Sequence, residues 1–310
     1  MLQSVGGGGR PRENTMRRDI EFNAEGTILR GWLYLPDRPA SRVPGVVMAH
    51  GFTAVKEMYL DRYAEAFAAA GLGVLVFDHR NFGASDGAPR GEIDPWAQVR
   101  DYRHVISFAR TLPEIDARRI GIWGTSYSGG HALVVGALDR RVRCVVSQVP
   151  AISGYQASLR RVPAPQVPGL LAAFEADREQ RFRDAPAAMR PVLPREPGGP
   201  AVFSGEDAIA FFRTAAERAP SWGEEITLRS VEMAREYEPA VYISRISPTP
   251  LLVIAATDDN LTGSDLTLEA YERALQPKQL VLIPGGHFAP YVQEFPTSSG
   301  AARDWFLRHL

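Results

Sequence analysis

The 310-residue chain contains one cysteine, Cys144, inside the apolar run Val142 to Val146. A single cysteine excludes a disulfide within the chain, and a thiol in an apolar run reads as buried and inert. Its six histidines show no clustered His/Cys ligand spacing, which speaks against a metallohydrolase. Net charge is almost absent: 35 basic and 36 acidic side chains leave −1. The electrostatic footprint of a nucleic-acid or anionic-membrane partner is therefore missing. No apolar run approaches the ~18 residues that cross a bilayer. The first 15 residues, with four glycines at Gly6 to Gly9, lack the apolar core of a signal peptide and are expected to form a disordered leader. A cytoplasmic protein is the expectation, and no internal repeat is apparent.

What is present is a large reserve for a core. Hydrophobic residues make up 45% of the chain and charged residues 23%, suited to one large globular domain or a core with an insertion. The central stretch is Gly121-Ile122-Trp123-Gly124-Thr125-Ser126-Tyr127-Ser128-Gly129-Gly130. An apolar run from Arg119 to Trp123 reads as a short buried strand ending at Gly124. A helical pattern follows at once through Ala132, Leu133, Val135 and Leu138. A serine at such a corner is lifted clear of the sheet on a strained backbone, and the positions two before and two after it must be small. Gly124 meets this; the second position is Ser128 where the usual pattern has glycine. Ser126 is preferred as nucleophile because it lies two residues after the strand-ending glycine. Ser128, in the first helical turn, is the alternative.

Taken in order, Arg18 to Phe22 and Thr27 to Leu35 read as a hairpin turning at Ala24-Glu25-Gly26. Gly45 to Ala49 is a strand covered on both faces, followed by His50-Gly51-Phe52. A helix is expected from about Lys56 to Ala70, stopped by Gly71. A strand at Val74 to Phe77 leads into Asp78 to Gly87, and a helix runs from Pro95 to Arg110. After the elbow helix comes a strand from Val142 to Ser147. The alternation predicts a mostly parallel sheet with helices on both faces and ligands beyond the carboxyl ends of its strands. Residues 16–150 and 246–310 form this core. Residues 151–245 break the rhythm, with helices expected at Pro168 to Arg183, Gly205 to Ala219 and Leu228 to Tyr237, and are expected to be a helical cap. The rhythm resumes with a strand at Pro250 to Ala256, a helix at Asp265 to Leu275, a strand at Gln279 to Ile283 and a helix at Ala301 to His309.

A serine hydroxyl needs a base within reach, and the base an orienting carboxylate. With the chain order Ser, acid, His, His287 after a Gly-Gly turn is the expected base. His309 is expected to be solvated, and His131 lies on the elbow helix facing elsewhere. Asp259, with Asp258 as competitor, is the expected acid, while Asp265 is expected to start or cap a helix. The oxyanion hole is expected from the amides of Tyr127 and Phe52, with Gly51 permitting close approach. His50 and the Asp78 to Gly87 turn are expected to be structural.

On these residues the chain resembles the α/β-hydrolases from Thr27 to Leu310. The His50-Gly51-Phe52 loop, the Asp78-x-Arg80-x-x-Gly83-x-Ser85 turn, the Ser126 elbow, Asp259 and Gly286-His287 match in order and spacing. Trp123 to Gly130, Ile246 to Leu252 and Pro284 to Phe288 are similar to a branch with fungal polyketide transferases and thiohydrolases and bacterial relatives. Dienelactone-hydrolase-like enzymes are more distant. The resemblance implies a mostly parallel eight-stranded sheet with a helical cap, and tolerance of serine two after the nucleophile. The expected activity is cleavage of a small-molecule acyl ester or thioester by Ser126, His287 and Asp259, without metal or organic cofactor. An acyltransferase and a ligand-binding protein on the same scaffold are the rivals. Tyr155, Phe174, Phe182, Phe203, Phe211, Phe212, Trp222, Tyr237 and Tyr242 in the insertion either pack it on the core or line an apolar acyl pocket.

Overall fold

Alternating apolar runs and amphipathic stretches fold as the rhythm requires. A computed structural model describes residues 15–37 and 41–310; the expected leader lies outside the described residues except Thr15, which already opens the first strand. β1 (Thr15–Ala24) and β2 (Thr27–Pro36) pair as an antiparallel hairpin. β3 (Val43–Ala49), α1 (Leu60–Ala69) and β4 (Gly73–Phe77) follow. Then come α2 (Pro95–Ala109), β5 (Ile115–Thr125), α3 (Tyr127–Leu138) and β6 (Val142–Gln148). Residues 151–245 hold α4 (Gly154–Arg161), α5 (Val167–Phe182), β7 (Met189–Pro191), α6 (Glu206–Ala216), β8 (Glu225–Thr227) and α7 (Leu228–Glu236). β9 (Leu251–Ala256), α8 (Ser264–Arg273), β10 (Lys278–Ile283) and α9 (Phe295–His309) close the chain.

Eight strands form one sheet in the order β1-β2-β4-β3-β5-β6-β9-β10. Within this sheet only the pairs made by β2 are antiparallel, and all the others are parallel. The strand alternation sends side chains to two cores. On one face Trp123, Cys144, Val146 and Ile254 meet Leu60, Tyr63 and Phe67 of α1 and Trp305 and Phe306 of α9. Gly121 is bare because a Cβ there would stand 2.8 Å from Phe306. On the other face Ile120, Ile122 and Val145 meet α2 and α3. The same buried cluster continues into residues 151–245 through Val192, Phe203, Ala208, Phe212 and Ile226. Cys144 is fully buried, which pushes its thiol pKa well up and leaves it inert, as expected.

Two helix starts and one segment differ from expectation for identifiable reasons. α1 starts at Leu60 rather than near Lys56. The Lys56 N–H and ammonium are both drawn to the Asp78 carboxylate, at 2.8 and 2.6 Å, and Tyr59 sits left-handed at φ 69°. α9 starts at Phe295, six residues early, with Pro296 in its first turn, where a missing N–H costs nothing. In residues 151–245, α4 and the two-stranded β7–β8 sheet were unexpected. Three-residue strands carry no readable alternation, and α4 is short and buries only Ser158, its start marked by Ser153 accepting from the Gln156 N–H. Among the described residues no helix is long and apolar enough to cross a membrane.

Candidate active site

The parallel strands all deliver their carboxyl ends to one edge, so the residues just past them gather there. Ser126 follows β5, Asp259 lies past β9 and His287 past β10. Ser126 holds φ 56° and ψ −118°, a strained backbone costing about 1–3 kcal/mol. It is pinned from both sides: its N–H donates to the Gln148 carbonyl at 2.8 Å, and its carbonyl accepts from the N–H groups of Gly130 and Ala151 at 3.2 and 2.9 Å. The corner leaves no room nearby. A Cβ on Gly124 would fall 1.9 Å from the Ser128 carbonyl oxygen, and one on Gly51 2.9 Å from the Ser126 Cβ.

His287 Nε2 lies 3.0 Å from Ser126 Oγ, and its Nδ1 lies 2.7 Å from Asp259 Oδ2. An ionised carboxylate only accepts, so Nδ1 carries the proton and the Nε2 lone pair faces the serine hydroxyl. Asp259 is fixed in turn. Its Oδ1 accepts from the N–H groups of Leu261 and Thr262, both at 2.9 Å, and its Oδ2 also accepts from the Thr262 hydroxyl at 2.8 Å. Burial pushes the Asp259 pKa up, but His287 and the Thr262 donors outweigh it and hold it at about 2. Asp258 is exposed and bonded to the Thr257 hydroxyl. Leu261 and Thr262 carried no signal in the sequence, because their role depends on how the loop folds back. Asp265 sits in the first turn of α8, as expected of a helix start, and pairs with Arg160.

Ser128 is fully buried. Its hydroxyl donates to the His50 carbonyl at 2.5 Å and lies 2.8 Å from His79 Nε2. His50 is itself tied into the loops: Nδ1 donates to the Gly51 carbonyl at 3.0 Å and Nε2 accepts from the His79 N–H at 3.2 Å. Asp78 organises its turn, accepting from Lys56 and from the Ala84 N–H at 2.9 Å. His131 points away from Ser126, between Tyr237 OH and Gln98 Oε1, each at 2.9 Å. Burial lowers the pKa values of His50 and His79 and takes that of His131 to about 3, so all three are neutral. His309 is not solvated as expected: it is half-buried, its ring centroid 4.1 Å from that of Trp305. The polar floor of this histidine–serine network was legible only as individual residues.

Phe52 and Tyr127 flank Ser126, and Tyr127 is the first residue of α3, where an N–H has no intrahelical acceptor. On one side Phe203, Phe211, Phe212, Phe288 and Tyr291 close on Ser126 and His287, leaving about 20 Å³. On the other, a passage of about 60 Å³ runs past Ala151, Ile152, Ala157 and Arg161. It shares Phe52, Gly154, Arg161, Phe203, Ala234 and Leu261 with a cavity of about 1240 Å³ walled by residues 151–245. Of the other aromatics in residues 151–245, Phe174 lines the large cavity, Trp222 packs on Phe212, Tyr237 and Tyr242 pack on Trp96, and Phe182 is 90% exposed.

Comparison with known proteins agrees with this architecture. The model of the X-Pro dipeptidyl-peptidase (S15) family matches residues 25–289. A thiohydrolase of Eupenicillium brefeldianum is 34% identical over 284 residues, covering 89% of each chain. A polyketide transferase of Stachybotrys chlorohalonatus is 29% identical over 274 residues, covering 86% of this chain and 88% of that one. The crystal structure of an α/β-hydrolase from Penicillium sp. sh18 superposes with a TM-score of 0.81 at 26% identity, covering 95% of this chain and 99% of that one. The chain therefore belongs to the X-Pro dipeptidyl-peptidase (S15) family of α/β-hydrolases, in the branch that holds fungal thiohydrolases and polyketide transferases.

Proposed function

We propose that this hydrolase cleaves carboxylic esters or thioesters of small molecules through an acyl-enzyme on Ser126. The carrying observation is the linked pair of distances, 3.0 Å from Ser126 Oγ to His287 Nε2 and 2.7 Å from His287 Nδ1 to Asp259 Oδ2. In this reading Ser126 Oγ attacks the acyl carbon as His287 Nε2 takes its proton. The amides of Tyr127 and Phe52 bind the oxyanion. His287 returns the proton to the departing alkoxide or thiolate as the carbon–oxygen or carbon–sulfur bond breaks. Water, deprotonated by His287, then releases the acid, and Asp259 stabilises the imidazolium in both halves. None of these steps calls on a metal or organic cofactor. Residues 151–245 act as a cap that shapes the acyl cavity.

The family's peptidase description is not the reading preferred for this chain. A dipeptidyl-peptidase must hold a cationic amino terminus, whereas the large cavity presents five arginines against Glu196 and Asp207. Acyl transfer is the second reading, favoured by the likeness to a polyketide transferase; an alcohol then replaces water in the second half. The test is hydrolysis of p-nitrophenyl esters with two to twelve acyl carbons and of matching thioesters by wild type, Ser126→Ala and Ser128→Ala. Loss of turnover in Ser126→Ala supports the reading. Full activity in that variant, or turnover only when an alcohol acceptor is added, overturns the nucleophile or the hydrolase assignment respectively.

A further inference from the structure

The walls of the large cavity carry cations that the fold leaves unneutralised. Elsewhere on these helices arginines are paired: Arg160 of α4 with Asp265 and Arg178 of α5 with Glu232. Arg161, the next residue along α4, faces the cavity and the passage that reaches Ser126. Its Nε donates only a long 3.3 Å bond to the Ala157 carbonyl, and among the described residues it has no carboxylate within ion-pair distance. Its side chain is exposed to the cavity and the passage. Burial lowers the pKa of this guanidinium, with no carboxylate to counter it. Arg235 of α7 lines the same cavity, its guanidinium over the Tyr155 ring at 5.2 Å. Its Nη1 is buried without a hydrogen-bond partner. Of the carboxylates close to it in sequence, Glu232 is paired with Arg178, and Glu238 is occupied by the Ser153 hydroxyl and the Tyr155 N–H.

Arg161 offers uncommitted N–H groups to the cavity, and the buried, unpartnered Nη1 of Arg235 is costly unless a ligand completes that guanidinium. Its planar fork matches a carboxylate bidentately. We propose that the cavity takes acyl groups bearing a carboxylate distal to the scissile carbonyl, clamped by Arg161 and Arg235. This revises the expectation of a mainly apolar acyl pocket, and it rests on Ser126 being the nucleophile, since the passage past Arg161 starts there. The reaction is unchanged; the anion selects which acyl group presents its carbonyl to Ser126.

The test compares mono-p-nitrophenyl esters of straight-chain dicarboxylic acids with p-nitrophenyl alkanoates of equal length. In wild type the best dicarboxylic half-ester should exceed its neutral partner at least tenfold in kcat/KM. That ratio should fall about tenfold in Arg161→Gln and in Arg235→Gln, and to one or below in the double variant, with partial retention in Arg161→Lys. Arg118→Gln, exposed near the start of β5, should keep it. Calorimetry on Ser126→Ala with free dicarboxylates, monocarboxylates and inorganic phosphate reads binding without turnover, and melting curves exclude misfolding. Absence of any dicarboxylate preference in both arms overturns the proposal. So does a preference for phosphate alone, which would assign the arginines to a phosphorylated leaving group. If Ser126→Ala hydrolyses normally while the arginine-dependent preference persists, the nucleophile reading fails and the anion clamp stands. If wild type hydrolyses neither series, the calorimetric comparison decides the clamp by itself.

Discussion

Replacing Ser128 by alanine separates a structural serine from a reacting one. Its single hydroxyl proton goes to the His50 carbonyl at 2.5 Å, so its lone pair receives the Nε2–H of His79 at 2.8 Å. Alanine would leave a buried carbonyl and a buried ring N–H unpaired. Each such loss costs about 1–3 kcal/mol. Moving the His79 proton to Nδ1 brings no relief, because that nitrogen is buried without a partner as well, so a sum of roughly 2–6 kcal/mol is expected. For a chain of this size about 1 kcal/mol corresponds to ~2 °C, which puts Tm about 4–12 °C lower. Ester hydrolysis should fall by less than about tenfold, through loosening of the His50–Phe52 loop, whereas Ser126→Ala should lose roughly 10³-fold or more with little change in Tm. Thermal melts and p-nitrophenyl ester kinetics on the two variants, run together, check this. A Ser128→Ala protein with unchanged Tm and no hydrolysis would refute the reasoning.

Other consequences follow from the same geometry. Asp259→Asn should lower kcat by roughly 10²–10⁴-fold because an amide cannot enforce the Nδ1–H tautomer of His287, while Asp258→Asn should stay within about twofold of wild type; steady-state kinetics distinguish them. Gly124→Ala should fail to accumulate as folded protein, since its Cβ would lie 1.9 Å from a backbone oxygen of the elbow helix; soluble yield and circular dichroism report it. Stability should also fall on mild acidification. Folded His131 stays neutral to about pH 3 while its unfolded form protonates below 6.5. The unfolded state therefore binds the extra proton, and stability present above pH 6.5 is lost progressively down to about pH 3. Between pH 6.5 and 5 His131 alone accounts for about 2 kcal/mol, and His50 and His79 act in the same direction. Urea unfolding at the two pH values tests this, and equal stabilities would contradict it.

Much of the core could be read from sequence because its signals are local. Continuous apolar runs mark the buried parallel strands, and chemistry-bearing residues stand one to four positions past their ends, as at Ser126, Asp259 and His287. The helix expected from Pro95 forms as α2, and its cap is seen only in the structure, where the Asp94 carboxylate accepts from the Trp96 and Ala97 N–H groups. What stayed hidden depends on contacts distant in sequence. The start of α1 was misplaced because Lys56 answers to Asp78, 22 residues away. Asp259 is oriented by Thr262 only once their loop closes. The cavity arginines are conspicuous only against the pairing of their neighbours, since sequence alone cannot say that Arg160 finds Asp265 while Arg161 finds no carboxylate among the described residues.

The most direct measurement of the central claim is to label the protein with a serine-directed fluorophosphonate and map the adduct by peptide mass spectrometry. The account predicts one stoichiometric adduct on Ser126, loss of hydrolysis in proportion to labelling, and no labelling of Ser126→Ala. An adduct on Ser128, or undiminished labelling and turnover in Ser126→Ala, would contradict it.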